Sequence, residues 1–267
     1  MALRLPLRAF GSTGMEVSAI QLGTVKIGRA AKLPYPDADG YVLPDDRTVG
    51  TLLETARELG VNSLDTAPAY GTAEARLGKL LGHAIHDMLV FTKTGEIFDG
   101  AASRYDFSAA HTRQSVQESL SRLGTDSLAG VALHCPSEDM ESLTNSGALE
   151  ELHRMKDEGH IRSVGASTTT LAGGLKAAEL CDYVMVAFNA GYRDQEEVIR
   201  KAADMGRAVI VKKGFNSGNA LDGNPRDAVR KHLKAIFGMP GVSCLALGTM
   251  NAAHLTECAQ DLASLDP

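Results

Sequence analysis

The sequence predicts an α/β fold: a closed (β/α)8 TIM barrel with an N-terminal β-hairpin, in one domain over residues 1–267. Short apolar runs alternate with amphipathic segments of helix length along the whole chain, and eight such repeats can be counted. Alternation of this kind favours a parallel sheet, and eight repeats favour its closure into a barrel. The length of 267 residues suits one barrel of about 250 residues. The alternative, an open doubly wound sheet, lacks the Gly-x-Gly-x-x-Gly motif after an early strand.

The elements follow from local patterns. A hairpin is predicted from short strands at 8–10 and 16–18, which flank the turn Gly11-Ser12-Thr13-Gly14. The barrel strands are predicted at 19–22, 62–65, 88–93, 128–134, 161–165, 183–188, 208–212 and 242–247. Helices are predicted at 45–59, 73–81, 109–123, 148–158, 194–205, 225–237 and 251–262, with one more between the fifth and sixth barrel strands.

Three connections are long, at 23–44, 94–108 and 214–224, and the third is rich in Gly and Asn. Loops of this length in a compact domain are often functional, so we interpret the first two as lids or walls of a substrate cleft. The alternative is that their aromatic residues only pin the loops to the barrel. These aromatic residues are Tyr35, Tyr41, Phe98, Tyr105 and Phe107.

Composition excludes several classes of function. The formal net charge is -6 and there is no basic run, so nucleic-acid binding is not expected. No apolar stretch approaches the roughly 20 residues that span a bilayer, and residues 1–10 lack a secretory signal. The cysteines are scattered without metal-ligand or disulfide spacing, which predicts a reduced, cytoplasmic protein without a metal site. No pattern indicates a protein partner or an oligomeric state. The cysteines are Cys135, Cys181, Cys244 and Cys258.

Four polar residues stand at or just beyond three consecutive strand ends. Asp65 ends the second strand and Tyr70 lies in the loop after it, while Lys93 and His134 end the third and fourth strands. The carboxyl ends of parallel strands meet at one mouth of a barrel, where active sites lie. Any one of these residues alone has about an even chance of being structural. Their occurrence at successive strand ends favours a shared site.

The four residue types suit proton donation by a phenol. Lys93 as an ammonium would lower the pKa of Tyr70, and Asp65 would keep that ammonium charged. His134 would hydrogen-bond a substrate carbonyl oxygen and orient it. Such a set supplies a proton but no electrons. A hydride-donating cofactor is therefore the expected complement.

Motifs along nearly the whole chain resemble the aldo-keto reductase superfamily. They are Phe10-Gly11-Ser12-Thr13-Gly14-Met15-Glu16-Val17-Ser18, Leu22-Gly23-Thr24, Asp65-Thr66-Ala67-Pro68-Ala69-Tyr70-Gly71 with Glu74-Leu77-Gly78, Thr92-Lys93, Leu123-Gly124-Thr125-Asp126, Leu133-His134, Gly159-His160-Ile161-Arg162, Gly165-Ala166-Ser167 and Gly248-Thr249. The resemblance implies a (β/α)8 barrel that reduces a small-molecule aldehyde or ketone with NAD(P)H. Its catalytic tetrad falls on Asp65, Tyr70, Lys93 and His134.

The resemblance also implies a cofactor site. The nicotinamide carboxamide is expected near Ser167, and the adenine-ribose phosphate near the last strand and helix. The cofactor residues expected on this basis are Gly23, Thr24, Ser167, Thr168, Asn189, Gly248, Thr249, His254 and Glu257. Lys212 or Lys213 is expected to serve the pyrophosphate.

The expected cofactor site departs from the usual pattern of the family. The resemblance leads us to expect Asn at Thr168, Gln at Met185 and a stacking aromatic residue within Lys212-Lys213-Gly214-Phe215. It also leads us to expect a basic residue at Met250, Arg at His254 and Asn at Cys258. Loss of arginine-type donors removes a bidentate phosphate contact, so NAD(H) is possible. NADP(H) is favoured because the family favours it.

A lysine beside the nicotinamide would disfavour the cationic oxidised ring and bias the enzyme toward carbonyl reduction. The alternative is that Lys212 and Lys213 are both solvated.

Two other functions are open. One is a nicotinamide-nucleotide-binding sensor or accessory subunit with little turnover, which the altered cofactor contacts favour. The other is a Schiff-base aldolase that uses Lys93 as its nucleophile, which requires a lysine free of its acid partner.

Overall fold

The computed structural model describes residues 3–31, 41–137, 139–216 and 225–265. Eight parallel strands form a closed barrel, which confirms the predicted (β/α)8 fold, and a two-stranded antiparallel hairpin precedes them. The hairpin strands are β1 (Leu7–Ala9) and β2 (Glu16–Ser18). The barrel strands, in chain order, are β3 (Ile20–Gly23), β4 (Ser63–Asp65), β5 (Leu89–Thr94), β8 (Gly130–His134), β9 (Val164–Ser167), β10 (Tyr183–Ala187), β11 (Ala208–Lys212) and β12 (Val242–Leu247).

Helices cover the outside of the barrel. They are α1 (Val25–Gly28), α2 (Asp46–Glu58), α3 (Ala73–Leu81), α4 (Ala109–Leu123), α5 (Asp139–Thr144), α6 (Ala148–Asp157), α7 (Leu171–Leu180), α8 (Glu196–Asp204), α9 (Pro225–Phe237) and α10 (Ala252–Ala263), with 3-10 helices at Pro68–Tyr70 and Gly82–Asp87. Local chemistry sets several of their ends. The side chain of Asp45 accepts from Thr48 N at the start of α2, and that of Ser108 accepts from His111 N at the start of α4. Six predicted helices agree with the structure to within a residue: 45–59, 73–81, 109–123, 148–158, 225–237 and 251–262.

Alternation along the strands divides the core into two parts. One face of each strand packs against the helices, as Val90 and Val131 do. The other face points into the barrel, where a separate cluster includes Phe91, Ala132 and Ile210. Since the side-chain period of a strand is two, the residue two positions after each inward-facing core residue also faces inward.

The N-terminal hairpin closes one end of the barrel. Phe10 is fully buried against Phe91 and Tyr183, with ring centroids 4.8 and 5.3 Å away. Tyr183 needs room inside the barrel, and Gly165 provides it: a Cβ on that glycine would lie 2.3 Å from the tyrosine ring. The closed end is the one at which the strands begin, so the carboxyl ends form the open mouth.

The structure differs from the predicted elements in several places. The fifth barrel strand is Val164–Ser167 and not 161–165, because Ile161 pairs with Leu128 only through an isolated bridge. The connection at 94–108 contains a further antiparallel hairpin, β6 (Glu96–Phe98) with β7 (Ser103–Tyr105). The short helices α1 and α5 were not predicted.

The long connections are described in part. Tyr35 and most of the segment at 214–224 lie outside the described residues. Tyr41 donates from its hydroxyl to the carbonyl of Lys26 at 2.9 Å, and the rings of Tyr105 and Phe107 stack with centroids 6.2 Å apart. These contacts fit the alternative in which aromatic residues pin their loops. In the part of the chain that the structure describes, no helix has both the length and the apolar character needed to cross a bilayer.

Candidate active site

The barrel mouth has a polar side and a side of small residues. Inward-facing positions at or near the ends of β4, β5, β8 and β9 carry Asp65, Lys93, His134 and Ser167. The corresponding positions on β10, β12 and β3 carry small residues: Ala187, Ala246 and Gly23. Lys212 ends β11, between two of these strands. The structure therefore brings the polar residues expected at the strand ends to one mouth, and the small residues leave space beside them.

Asp65 and Lys93 form a buried ion pair. Nζ of Lys93 lies 2.5 Å from Oδ1 of Asp65 and donates to the carbonyl of Thr66 at 2.9 Å. The side chain of Lys93 is 2% exposed and that of Asp65 is 9% exposed. Burial alone lowers the pKa of Lys93, but Asp65 and Tyr70 outweigh it and the pKa lies well above its usual range. Lys93 is therefore a fixed ammonium and a poor amine nucleophile, which argues against the aldolase hypothesis.

Tyr70 lies against both the ammonium and the imidazole. Nζ of Lys93 is 4.7 Å from the centroid of the Tyr70 ring, which meets the His134 ring edge-on at 6.2 Å. Burial raises the pKa of Tyr70, and Lys93 opposes that rise without cancelling it. The effect of Lys93 on the pKa of Tyr70 has the expected sign, but burial outweighs it and the net pKa is raised.

His134 has a carboxylate partner that the sequence analysis missed. Nδ1 of His134 lies 2.6 Å from Oε2 of Glu96, in a contact that is close but bent away from an ideal hydrogen-bond line. Burial lowers the pKa of His134, while Glu96 opposes that effect. Burial raises the pKa of Glu96, but His134, Ser103 and Arg29 together lower it to about 2. The pair thus consists of a neutral imidazole and an ionised carboxylate at neutral pH.

Ser167 and Lys212 form the next polar contact around the mouth. Nζ of Lys212 donates to Oγ of Ser167 at 2.8 Å and to the carbonyl of Thr168 at 3.0 Å. Burial, Lys213 and Lys93 lower the pKa of Lys212 to about 8. Lys213 is exposed, with a positive φ of 55°. Of the two lysines, only Lys212 points into the mouth, so the hypothesis that both are solvated is wrong for Lys212.

Several expected cofactor residues make structural contacts. Thr24 donates from its hydroxyl to the carbonyl of Asp65 at 2.9 Å. Thr168 faces outward, because a Cβ on Gly174 of α7 would lie 3.4 Å from its hydroxyl. The Thr168 side chain therefore points toward α7, while its carbonyl accepts from Lys212 at the mouth. The amide of Asn189 donates to the carbonyl of Lys213 at 3.1 Å, and its oxygen accepts from Gly191 N at 2.9 Å.

The residues expected around the adenine-ribose phosphate lie at the start of α10. Gly23 and Gly248 approach closely, since a Cβ on Gly23 would lie 3.3 Å from Gly248 N. Thr249 Oγ1 accepts from Asn251 N at 3.1 Å. His254 and Glu257 are exposed. The structure brings these residues to the side of the barrel that carries the small mouth positions.

A groove of about 490 Å³ lies at this place between the first turns of α2 and α10. It is lined by Arg47, Thr48, Thr51, Met250, Asn251 and Ala252. The family resemblance leads us to expect a basic residue at Met250. Arg47 lies on the opposite wall of the groove from that position. The sequence gave no reason to select Arg47, because it belongs to a different helix.

The mouth fits a nicotinamide nucleotide in its donors and its space. Ser167 and Lys212 supply donors beside small inward-facing residues. The amide of Gln21, which faces inward on β3, is buried, and within the described ranges neither its oxygen nor its nitrogen has a hydrogen-bond partner. Buried polar groups are normally satisfied, so an unpartnered amide just below an open mouth is consistent with a ligand or water there.

Comparisons with known proteins identify the family of the chain. A sequence model described as "Aldo/keto reductase family" matches residues 19–262. A solved structure from Pseudomonas aeruginosa, provisionally assigned as an aldo-keto reductase, is 39% identical, covers 98% of each chain and has a TM-score of 0.86.

Two curated relatives are similar over shorter or weaker matches. L-galactose dehydrogenase of Arabidopsis thaliana is 37% identical over 169 residues, which are 61% of this chain but 48% of the plant protein. The match thus spans about half the length of that relative. D-threo-aldose 1-dehydrogenase of a Pseudomonas species is 26% identical over 82% of this chain and 72% of the relative.

Proposed function

This chain belongs to the aldo/keto reductase family, and we propose that it is an NAD(P)H-dependent enzyme that reduces an aldehyde or ketone to an alcohol. The oxidoreductase class agrees with the sequence-based prediction. The observation that carries the proposal is the convergence of Asp65, Tyr70, Lys93 and His134 at one barrel mouth, beside a side of small residues. The complete set of four residues opposes the alternative of a sensor with little turnover.

The bound nucleotide supplies a hydride, and the residues of the chain supply position and a proton. Tyr70 donates its phenolic proton to the substrate oxygen as negative charge develops there. Lys93 stabilises the phenolate that remains, and Asp65 keeps the lysine protonated at 2.5 Å. His134 lies on the other edge of the Tyr70 ring and orients the substrate carbonyl.

We propose that the cofactor would lie along the small side of the mouth. Ser167 and Lys212 would hold the nicotinamide end, and Gly23, Gly248 and Thr249 would line the path toward the adenosine end. We infer that NADP(H) is preferred to NAD(H), because Arg47 faces the groove beside Met250 and Asn251 and offers a bidentate donor for a phosphate. This site would replace the arginine-type donors that the last helix lacks.

The substrate class is a small carbonyl compound. Both curated relatives are named as sugar dehydrogenases, for L-galactose and for a D-threo-aldose. Hydroxylated aldehydes therefore belong beside simple aldehydes among the first compounds to assay. Four free, buried thiols in the described chain support the proposal of a reducing, cytoplasmic location.

The test is oxidation of NADPH and NADH, followed by absorbance, with a panel of aldehydes, ketones and aldoses. The expected result is steady turnover that Tyr70→Phe lowers by about 10²–10⁴-fold while nucleotide binding is retained. Tyr192→Phe removes an exposed phenol from the loop after β10 and is the matched control, which should retain activity. Turnover that is equal in Tyr70→Phe and the wild type would contradict the assignment of the proton donor.

A further inference from the structure

Glu96 is a buried carboxylate at the mouth to which the family tetrad gives no role. Its side chain is 9% exposed. Oε1 accepts from Ser103 Oγ at 2.5 Å and lies 3.3 Å from an Arg29 guanidinium nitrogen, while Oε2 lies 2.6 Å from Nδ1 of His134. Two groups from different parts of the fold, Ser103 and Arg29, thus hold this carboxylate against one nitrogen of the imidazole.

The backbone around Glu96 is shaped to bring it there. Gly95 has a φ of +99°, and a Cβ on it would lie 2.0 Å from the Phe107 ring. This turn follows β5 directly and starts the hairpin formed by β6 and β7, which carries Glu96 over the mouth. Arg29 is fixed as well, because its guanidinium stacks 3.6 Å from the centroid of the Phe98 ring. The position of Glu96 is therefore built into the fold.

The contact decides which nitrogen of His134 carries the proton. A neutral imidazole has one N–H group and one lone pair, and the tautomer follows from what each nitrogen faces. The contact is bent, but an unprotonated Nδ1 would still lie 2.6 Å from a carboxylate oxygen, a distance at which two acceptors repel. The proton of the neutral ring therefore lies on Nδ1, and Nε2 is left with its lone pair.

This tautomer has a chemical consequence for the proposed reaction, on which the inference rests. A substrate carbonyl oxygen is an acceptor, and neutral His134 would offer it a second acceptor at Nε2. We propose that Glu96 is a positioning residue that keeps a proton on Nδ1 of His134, so that Nε2 donates to the substrate carbonyl only when the imidazole is doubly protonated. The Glu96 carboxylate then neutralises the imidazolium.

The charges around the pair support a proton-dependent donor. Lys93 and Lys212 face His134 and disfavour its protonation, as burial does, while Glu96 favours it. Arg29 faces the other side of Glu96 and keeps that carboxylate ionised. Tyr70 packs edge-on against the imidazole. Among these groups, Glu96 has the largest effect on the protonation equilibrium of His134, so its removal should change that equilibrium most.

The activity test compares pH profiles of kcat for carbonyl reduction. In the wild type, kcat is expected to rise as pH falls and to level off below the pKa of His134. A neutral amide cannot stabilise the imidazolium, so Glu96→Gln should move this limb to lower pH by about one unit or more, roughly a tenfold change in the protonation equilibrium. Glu54→Gln changes the same charge on the exposed face of α2 and should leave the limb in place.

A second measurement does not depend on turnover. Nitrogen-15 NMR of the histidine rings, with the His134 signal assigned by its loss in His134→Gln, reports the tautomer directly. The expected result is protonated Nδ1 and unprotonated Nε2 at pH 8. An Nε2–H tautomer, or an unchanged kcat limb in a folded Glu96→Gln, would overturn the inference. A wild type that turns over no carbonyl compound would instead contradict the proposed function, and the NMR result would still decide the role of Glu96.

Discussion

The side chain of Lys212 crosses from one barrel strand to another that is not its neighbour. It ends β11, yet its Nζ donates to Oγ of Ser167 at the end of β9, at 2.8 Å. The intervening strand, β10, ends at Ala187, whose small side chain leaves the path clear. A cation is therefore held over the part of the mouth where the nicotinamide carboxamide is expected.

The first prediction concerns this cation and the redox state of the cofactor. Lys212→Met is expected to bind the oxidised nucleotide more tightly relative to the reduced one, by roughly tenfold or about 1.4 kcal/mol, because repulsion of the cationic ring is removed. Lys213→Met, at an exposed neighbour, is the control. Fluorescence titration with both nucleotides measures the ratio, and equal ratios in Lys212→Met and the wild type would contradict the prediction.

The same prediction has a pH dependence with a defined sign. Lys212 is charged below its pKa of about 8 and neutral above it. The bias of the wild type toward the reduced nucleotide should thus be full below that pH and decrease above it. In Lys212→Met, the ratio of the affinities for the oxidised and the reduced nucleotide should not show this dependence on pH.

A second prediction tests the proposed phosphate contact. Arg47→Ala is expected to raise KM for NADPH by about tenfold and to leave KM for NADH nearly unchanged, because only NADPH carries the additional phosphate. Arg57→Ala removes an exposed arginine from the last turn of the same helix and serves as the control. Steady-state kinetics with both nucleotides provide the measurement. A parallel rise in both KM values would show that Arg47 does not select the phosphate.

A third prediction links Glu96 to stability. Its pKa is about 2 in the folded protein and near 4.5 in a model compound. A depressed carboxyl pKa stabilises the fold above the unfolded-state value, and the stabilisation is lost as pH falls through the folded-state value. Glu96→Gln should therefore be less stable than the wild type at pH 7, by roughly 3 kcal/mol at most.

The difference between the two proteins should shrink as pH falls from about 4.5 to about 2. Urea unfolding at a series of pH values measures it, with Glu54→Gln as the variant that should follow the wild type. A difference that stays constant over this range would show that Glu96 contributes through packing and not through its charge.

A fourth prediction concerns a structural contact outside the barrel. Glu74 is 1% exposed, accepts from Thr92 Oγ1 at 2.6 Å and from Arg122 Nε at 2.8 Å. Glu74→Ala leaves both donors without this acceptor, which should cost about 1–3 kcal/mol. Glu118 contacts the same arginine but is 52% exposed, so Glu118→Ala should cost less than about 1 kcal/mol. Chemical denaturation distinguishes the two, and equal costs would contradict this account.

The mouth was largely predictable from the sequence because a barrel places strand ends by a simple rule. Lys93 and His134 each follow a residue of the inner barrel core by two positions, so apolar alternation alone directs them inward. The pairing of Asp65 with Lys93 follows from the same rule. Family resemblance added the cofactor, which no side-chain pattern in the chain specifies.

Glu96 was not predictable, because its position depends on contacts across the fold. The sharp turn at Gly95 fits against the Phe107 ring only because residue 95 has no side chain, and the carboxylate is held by Arg29, just after α1, and by Ser103 of β7. The signal that was present, an acid three residues after Lys93, does not reveal which side of the mouth it reaches. Thr168 follows Ser167 by one position, so alternation turns its side chain outward, toward α7.

The N-terminal hairpin that closes one end of the barrel affects the order in which the chain can fold during synthesis. Arg8 donates to the carbonyl of Val242, and Ala9 accepts from Ser243, with 234 positions between the partners in each bond. A ribosome synthesises the hairpin first and the last strand nearly at the end. Arg8 and Ala9 therefore cannot make these two hydrogen bonds for most of translation. Nascent chains that stop before Val242 should therefore leave the hairpin undocked, with Phe10 open to chaperones.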